Sequence, residues 1–222
     1  MISVSETWKS TYPDAVVGVM ALHNLTNPKS SPELDKKKME LEERLRDQFS
    51  HKSELESLPV IGAYQDYYAR FRKTYHVLLQ LESVALKGKP IASVASLVEA
   101  MFLAELKNGM LTAGHDLDAV ETPVALDVAG GDERYEMLNG RQQTLKAGDM
   151  IMRDAKGVIS SVIYGPDKRT RIKPGTKEAM FVVYAPPGIR PDQVAAHLED
   201  IYEYCLLFSP SAERDFRETY SA

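Results

Sequence analysis

The chain has 222 residues, of which 44% are hydrophobic and 27% charged, and its formal net charge is −5. That length can bury a substantial core, and the acidic balance argues against a broad electrostatic grip on nucleic acid without excluding a local basic patch. The single cysteine, Cys205, excludes an internal disulfide framework and any cysteine-cluster metal site. No run approaches the ~18 apolar residues needed to cross a bilayer. The opening "MISVSETWKSTYPD" lacks the basic start and apolar core of a secretory signal, so a cytoplasmic location is expected.

Residues 14–25, "DAVVGVMALHNL", are β-branched and apolar and read as a strand. A helix follows, with Ser31 as N-cap, Pro32 at its first position and Leu34, Leu41, Leu45 and Phe49 on one face. Six acidic and five basic residues between Glu33 and Gln48 nearly cancel, as on a solvated outer face. The aromatic stretch 61–86, "IGAYQDYYARFRKTYHVLLQLESVAL", reads as one helix. In "PIASVASLVEAMFLAELKNG", Val94, Leu97, Val98, Met101 and Ala104 keep helical spacing, and Gly109 stands where a C-terminal cap falls.

The period then changes to short strand-like runs: "ALDVA", "RYEMLNG", "DMIMRD", "VISSVIYG" and "AMFVVYAP". Asn139-Gly140 and the segment 154–157 are hairpin turns between them. A last helix, from Pro191 to about Phe208, buries Val194, Leu198, Ile201 and Cys205, and the polar residues 209–222 are expected to be loosely held. The order predicts an α+β protein with a largely antiparallel sheet flanked by helices. No repeat or linker forces a boundary, so one domain is expected over 1–222. It divides into a strand and helix in 1–60, a core over 61–190, and a helix and tail over 191–222.

Several constellations carry possible chemistry. His115, Asp116 and Asp118 in "TAGHDLDAV" can begin a metal site or hold a turn through aspartate–backbone hydrogen bonds. The turn is the preferred reading, because His23, His51, His76 and His197 lie in other elements and no His-Glu-x-x-His motif is present. A metal-dependent hydrolase centred on those three residues remains an alternative. Cys205, on an apolar stripe, reads as inert packing. The Gly-Gly of "LDVAGGDERY" lacks a Walker lysine and reads as a turn. "KRTRIKPGTK" has five basic residues and no acidic one, either a phosphate-contacting strand or a solvated loop. Ser160, Ser161 and Tyr164 either line a pocket or face water.

The ordered set from about Ala92 to Glu178 resembles the B3/B4 domain of the phenylalanyl-tRNA synthetase β subunit, and the whole chain resembles stand-alone proteins built from it. The resemblance rests on "ASLVEAMFLAELKNGMLTAGHDLDAV", on "ALDVAGGDERYEMLNGRQQTLKAGDMIMRDAKGV", on "SSVIYGPD" and on the aromatic "VIGAYQDYYARFRK". It implies a pocket that accepts a wrongly attached amino acid and hydrolyses its ester to tRNA, with no metal or organic cofactor.

On that resemblance, the aminoacyl group is expected between Thr112, Ala113, Gly114 and Asp116 on one side and Ser160, Ser161, Tyr164 and Gly165 on the other. Arg169, Arg171 and Lys173 would contact phosphates, and His115 would either pack or carry a proton. Two departures stand out. Ala113 occupies the family's editing-histidine position, and the late acidic position falls near Val183, so only Gly165 carries over. An amino-acid or small-metabolite binder without tRNA or catalysis is the alternative.

Overall fold

The computed structural model describes residues 2–222. Strand β1 (Ile2–Val4) and helix α1 (Glu6–Thr11) precede the apolar strand β2 (Val16–His23). Helices α2 (Pro32–Gln48), α3 (Lys52–Glu56), α4 (Pro59–Ala69) and α5 (His76–Leu81) follow, and α5 runs on into a π-helical turn over Glu82–Leu86. Helix α6 (Ser96–Asn108) leads into β3 (Thr112–Asp116) and a 3₁₀ turn, Leu117–Ala119. A run of short strands comes next: β4 (Val124–Val128), β5 (Arg134–Glu136), β6 (Gln142–Thr144), β7 (Met150–Asp154), β8 (Gly157–Ser161) and β9 (Gly165–Pro166). Strand β10 (Ala179–Ala185), helix α7 (Pro191–Leu206) and strand β11 (Glu213–Ser221) close the chain.

The strands form two main sheets. One is wholly antiparallel in the order β11-β2-β10-β3. The other, β1-β4-β7-β8-β9, is antiparallel apart from its parallel β1–β4 edge, and β5–β6 is a separate hairpin. Strands β2 and β10 are buried along nearly their whole length, which explains their continuous apolar runs. Helix α7 packs so closely that a Cβ on Gly18 would collide with Val194 Cγ1. Glycine at that position is therefore a requirement of helix–sheet contact.

Helix α4 joins the sheets through its tyrosines. Tyr64 Oη donates to the Tyr184 carbonyl at 2.7 Å and accepts the Leu111 N–H at 3.1 Å. Tyr68 Oη donates to the Val162 carbonyl at 2.7 Å, and Tyr67 Oη donates to Asp149 Oδ1 at 2.6 Å. Buried phenols need such partners, since an unpaired hydroxyl in the core costs ~1–3 kcal/mol.

Three expectations are revised by the fold. The aromatic stretch is two helices, because Arg72 takes a left-handed φ of 57° between α4 and α5 and turns the chain. Residues "TAGHD" form edge strand β3, and only Leu117–Ala119 turns, with the Asp118 N–H donating to Asp116 Oδ1. The C-terminal tail is also no loose segment: β11 pairs antiparallel with β2 from Glu213–His23 to Ser221–Val16. Its alternation of polar and half-buried residues is that of an outer strand with one wet face.

A chain ending at Ser211 should therefore lose several kcal/mol of stability, at about 0.5–1.5 kcal/mol per net hydrogen bond. A lower urea midpoint and concentration-dependent aggregation through the bared β2 edge are expected, and an unchanged midpoint would contradict this assignment.

Candidate functional site

The site begins on α6. Leu97, Met101 and Glu105 fall four residues apart and share a helix face, so the stripe that buries Leu97 also buries a carboxyl. Gly109, with φ of 68°, ends the helix in the left-handed region and turns the chain into β3. Between α5, α6, β3 and the segment from Ser161 to Ile172 lies a cavity of 310 Å³. Met101, Phe102, Leu111 and Ile172 give it apolar walls, and exposed Leu138 and Arg171 stand on its rim. Its polar groups are few: His76, Gln80, Glu105, Thr112 and Ser161. Gly114 keeps it open, because a Cβ there would meet Met101 Sδ at 2.6 Å and Ile172 Cδ1 at 2.7 Å.

Glu105 is 3% exposed, and its Oε1 accepts the Thr112 N–H at 2.8 Å. Burial pushes its pKa up to about 8, against a small opposing pull from that N–H. His76 lies over Tyr68 and Tyr75. Because Tyr68 Oη gives its proton to Val162, it accepts from His76 Nδ1 at 3.3 Å. The His76 Nε2 lone pair is thereby left free, and desolvation lowers the ring's pKa, which favours the neutral form. Behind the cavity, the Asn108 amide donates to Asp200 Oδ2 at 2.8 Å and to His197 Nδ1 at 3.2 Å. His197 Nε2–H therefore faces Thr112 Oγ1, 2.7 Å away.

Of the residues singled out in the sequence, the cavity brings together Thr112, Ala113, Gly114, Ser161, Gly165 and Arg171. The others stand elsewhere. Asp116 is buried against Lys173 Nζ and the Thr176 hydroxyl, each 3.0 Å away, while Asp118 is exposed. Ser160 bonds the Tyr184 hydroxyl, and the Tyr164 ring lies beneath Lys73. Ser161 donates to Asp149, which also holds Tyr67 and whose pKa burial raises to about 6.

His115 is fully buried outside the cavity lining. Thr170 gives its hydroxyl proton to Asp167, so it accepts from His115 Nδ1–H at 2.7 Å. The Nε2 atom is left without a partner, and desolvation lowers the imidazole pKa to about 3. Among the described residues, no group of three or more His, Cys, Asp or Glu is placed to hold a metal ion.

A second hollow, of 400 Å³, adjoins the first and shares Arg171 with it. Its lining carries five cationic side chains, Arg134, Lys156, Lys168, Arg169 and Arg171, against Glu136 and Asp167. Arg169 is engaged by Asp154 through two bonds of 2.8 and 2.9 Å, and Lys168 by Glu136 at 2.7 Å. Arg171 donates only to the Lys168 carbonyl, and Arg134 has no ion-pair partner among the described residues. The sequence reading missed Glu105, His76 and Arg134. Glu105 alone left a signal there, its place on the Leu97–Met101 stripe.

A mainly antiparallel α+β fold, with an apolar cavity opening beside a basic cleft, defines the class of the molecule. The B3/4 domain profile matches residues 64–204, and the chain belongs to that family. No curated protein matches the sequence. Among solved structures, an N-terminal fragment of the phenylalanyl-tRNA synthetase β-subunit from Pyrococcus horikoshii has a similar fold, with a TM-score of 0.51 and 12% identity. The alignment covers 100% of this chain and 54% of that fragment, so the chain spans about half of its length. At that identity the likeness is one of fold.

The buried groups predict opposite pH responses. His115 is held neutral with its pKa near 3, so its contribution to stability is complete above the unfolded value of about 6.5 and falls as pH drops toward 3. The stability deficit of His115→Gln should thus be largest at pH 7 and shrink toward pH 4 in urea titrations. Glu105 has a raised pKa, so its burial weakens the fold as pH climbs from its ordinary value toward 8. Glu105→Gln should raise the melting temperature at pH 8 relative to wild type, with little gain at pH 4.5. An equal gain at both pH values would contradict the assignment.

Proposed function

We propose that this protein binds the aminoacylated 3′ end of a tRNA and hydrolyses the amino-acid ester in trans. The observation that carries this reading is an apolar cavity next to a basic cleft, with Arg171 in the lining of both, in a chain whose net charge is −5. The cavity suits an amino-acid side chain, and the cleft suits the phosphates of the nucleotides attached to it. Family membership and the similar fold of the synthetase fragment support the same direction.

In this reading water adds to the ester carbonyl, and the terminal ribose hydroxyl leaves. Most of the acceleration comes from holding ester and water together, with the amino-acid side chain fixed in the cavity. The free lone pair of His76 takes the proton of the attacking water and passes it to the ribose oxygen as the ester C–O bond breaks. Arg134 and Arg171 hold phosphate oxygens. Arg169 and Lys173 act through the fold, since Asp154 and Asp116 engage them.

A second reading, a pocket for a free amino acid or related metabolite, is favoured by the intramolecular pairing of Lys156, Lys168 and Arg169 within the cleft.

The deciding measurement is deacylation of total tRNA charged separately with each of a panel of correct and incorrect amino acids. Selective ester loss for one or two amino acids is expected; no loss for any of them removes the catalytic reading. His76→Gln should slow hydrolysis by about 10²-fold or more while sparing tRNA affinity, and the wild-type rate should fall below pH 6.5 as imidazole protonates, because His76 acts as a base. Arg134→Ala and Arg171→Ala should each reduce the salt slope of tRNA binding, by roughly 0.7 for each phosphate that the variant no longer neutralises. Unchanged slopes in both variants would favour the metabolite reading.

A further inference from the structure

We infer that Glu105 is the counter-ion for a primary ammonium on the ligand, making the cavity selective for amino acids whose α-amino group is free. This rests on the reading of the cavity as an aminoacyl site. Glu105 is the only acidic side chain among the cavity's lining residues, it is 3% exposed, and the Thr112 N–H is the only protein donor that reaches it among the described residues. A carboxylate normally takes several donors, so this one has bonding capacity left over within an otherwise apolar lining. Its neighbours supply no cation to fill it. The phenols of Tyr64, Tyr68 and Tyr75 surround it from α4 and the turn that follows, all held protonated by burial. Desolvation lowers the pKa of His76 from α5 and so disfavours its charged form, and exposed Arg171 makes no ion pair with Glu105.

The exchange of charge on binding follows from this arrangement. In the empty cavity burial keeps Glu105 protonated at neutral pH. A ligand entering as R–NH₃⁺ replaces that proton as the positive partner: the carboxyl O–H breaks, its proton leaves to solvent, and the carboxylate pairs with the ammonium. An N-acylated amino acid cannot make this exchange. It would leave the carboxyl protonated and set a polar amide against the apolar walls, which costs binding. Glu105 therefore separates free aminoacyl groups from N-blocked ones, whatever side chain the cavity accepts.

The test uses small probes that need no tRNA: the amides of leucine and phenylalanine, and their N-acetyl derivatives. Binding to the intact protein is measured by calorimetry at pH 6.5 in two buffers of different ionisation enthalpy. At least one free amide should bind about tenfold or more tighter than its N-acetyl form, with release of about one proton per ligand. Glu105→Gln should erase both the preference and the proton release while its melting temperature shows the fold intact. Equal binding of free and acetylated amides, or a preference that survives in Glu105→Gln, overturns the inference and leaves the aminoacyl site standing. Failure of every probe to bind overturns both. Selective amide binding by a wild-type protein that shows no affinity for charged tRNA overturns only the tRNA reading.

Discussion

The tyrosine wedge of α4 is the interaction on which the rest of the structure depends. Tyr64, Tyr67 and Tyr68 project from one helix to backbone or side-chain partners in both sheets, and Tyr64 stacks on Tyr75 with ring centroids 4.4 Å apart. Each phenol supplies a large apolar ring to the core and one hydrogen bond whose direction fixes the helix against a particular strand. Asp149 sits at the centre, holding Tyr67 and Ser161 together, and its raised pKa expresses the cost of burying that carboxyl. Sheets joined only by aliphatic contact would be free to slide. Sheets joined by hydroxyls aimed at single carbonyls are not, because each broken bond leaves a buried polar group unpaired.

The cavity lies between α5 and β3, with α6 along one side. Tyr75 Oη donates to the Gly109 carbonyl at 3.0 Å, which ties the start of α5 to the turn after α6. The glycine at 114 then matters less for its backbone freedom than for the absent Cβ, which would collide with Met101 and Ile172. A space bounded by helices and a strand can discriminate among ligands by shape as well as by polar contacts. The polar groups in its lining are correspondingly constrained. His76 is directed by Tyr68, Thr112 by His197 and Ser161 by Asp149.

Charge is arranged on the same logic. Most cations of the basic stretch are committed to neighbouring carboxylates: Lys168 to Glu136, Arg169 to Asp154 and Lys173 to Asp116. These pairs brace the loop that forms one wall of the cavity and cleft. Within the cleft, Arg134 and Arg171 are the cations left without an ion pair among the described residues, and they come from separate segments that meet only through the fold. In an acidic protein such a local excess is not visible in net charge, since an electrostatic surface depends on where the side chains end up.

The sequence by itself determined the α+β class, the presence and order of β2, α2, α6 and α7, and the glycine cap at 109, although α6 begins at Ser96 and leaves Val94 outside it. Those features are written in local periodicity, capping residues and turn chemistry, which act over a few neighbouring residues. It also carried, through the ordered B3/B4-like runs, the segments 112–114 and 161–165 that the fold sets around one cavity. Only the tertiary structure decided that "TAGHD" is a strand, because its pairing with β10 involves partners more than sixty residues away. The pairing of residues 213–221 with β2 was hidden for the same reason: an outer strand with one solvated face looks like a polar tail. In a sequence, His115 and Glu105 are equally polar. Packing sent His115 into the core with Thr170 and left Glu105 beside the cavity, because which face of an element meets a void is a property of the elements opposite it.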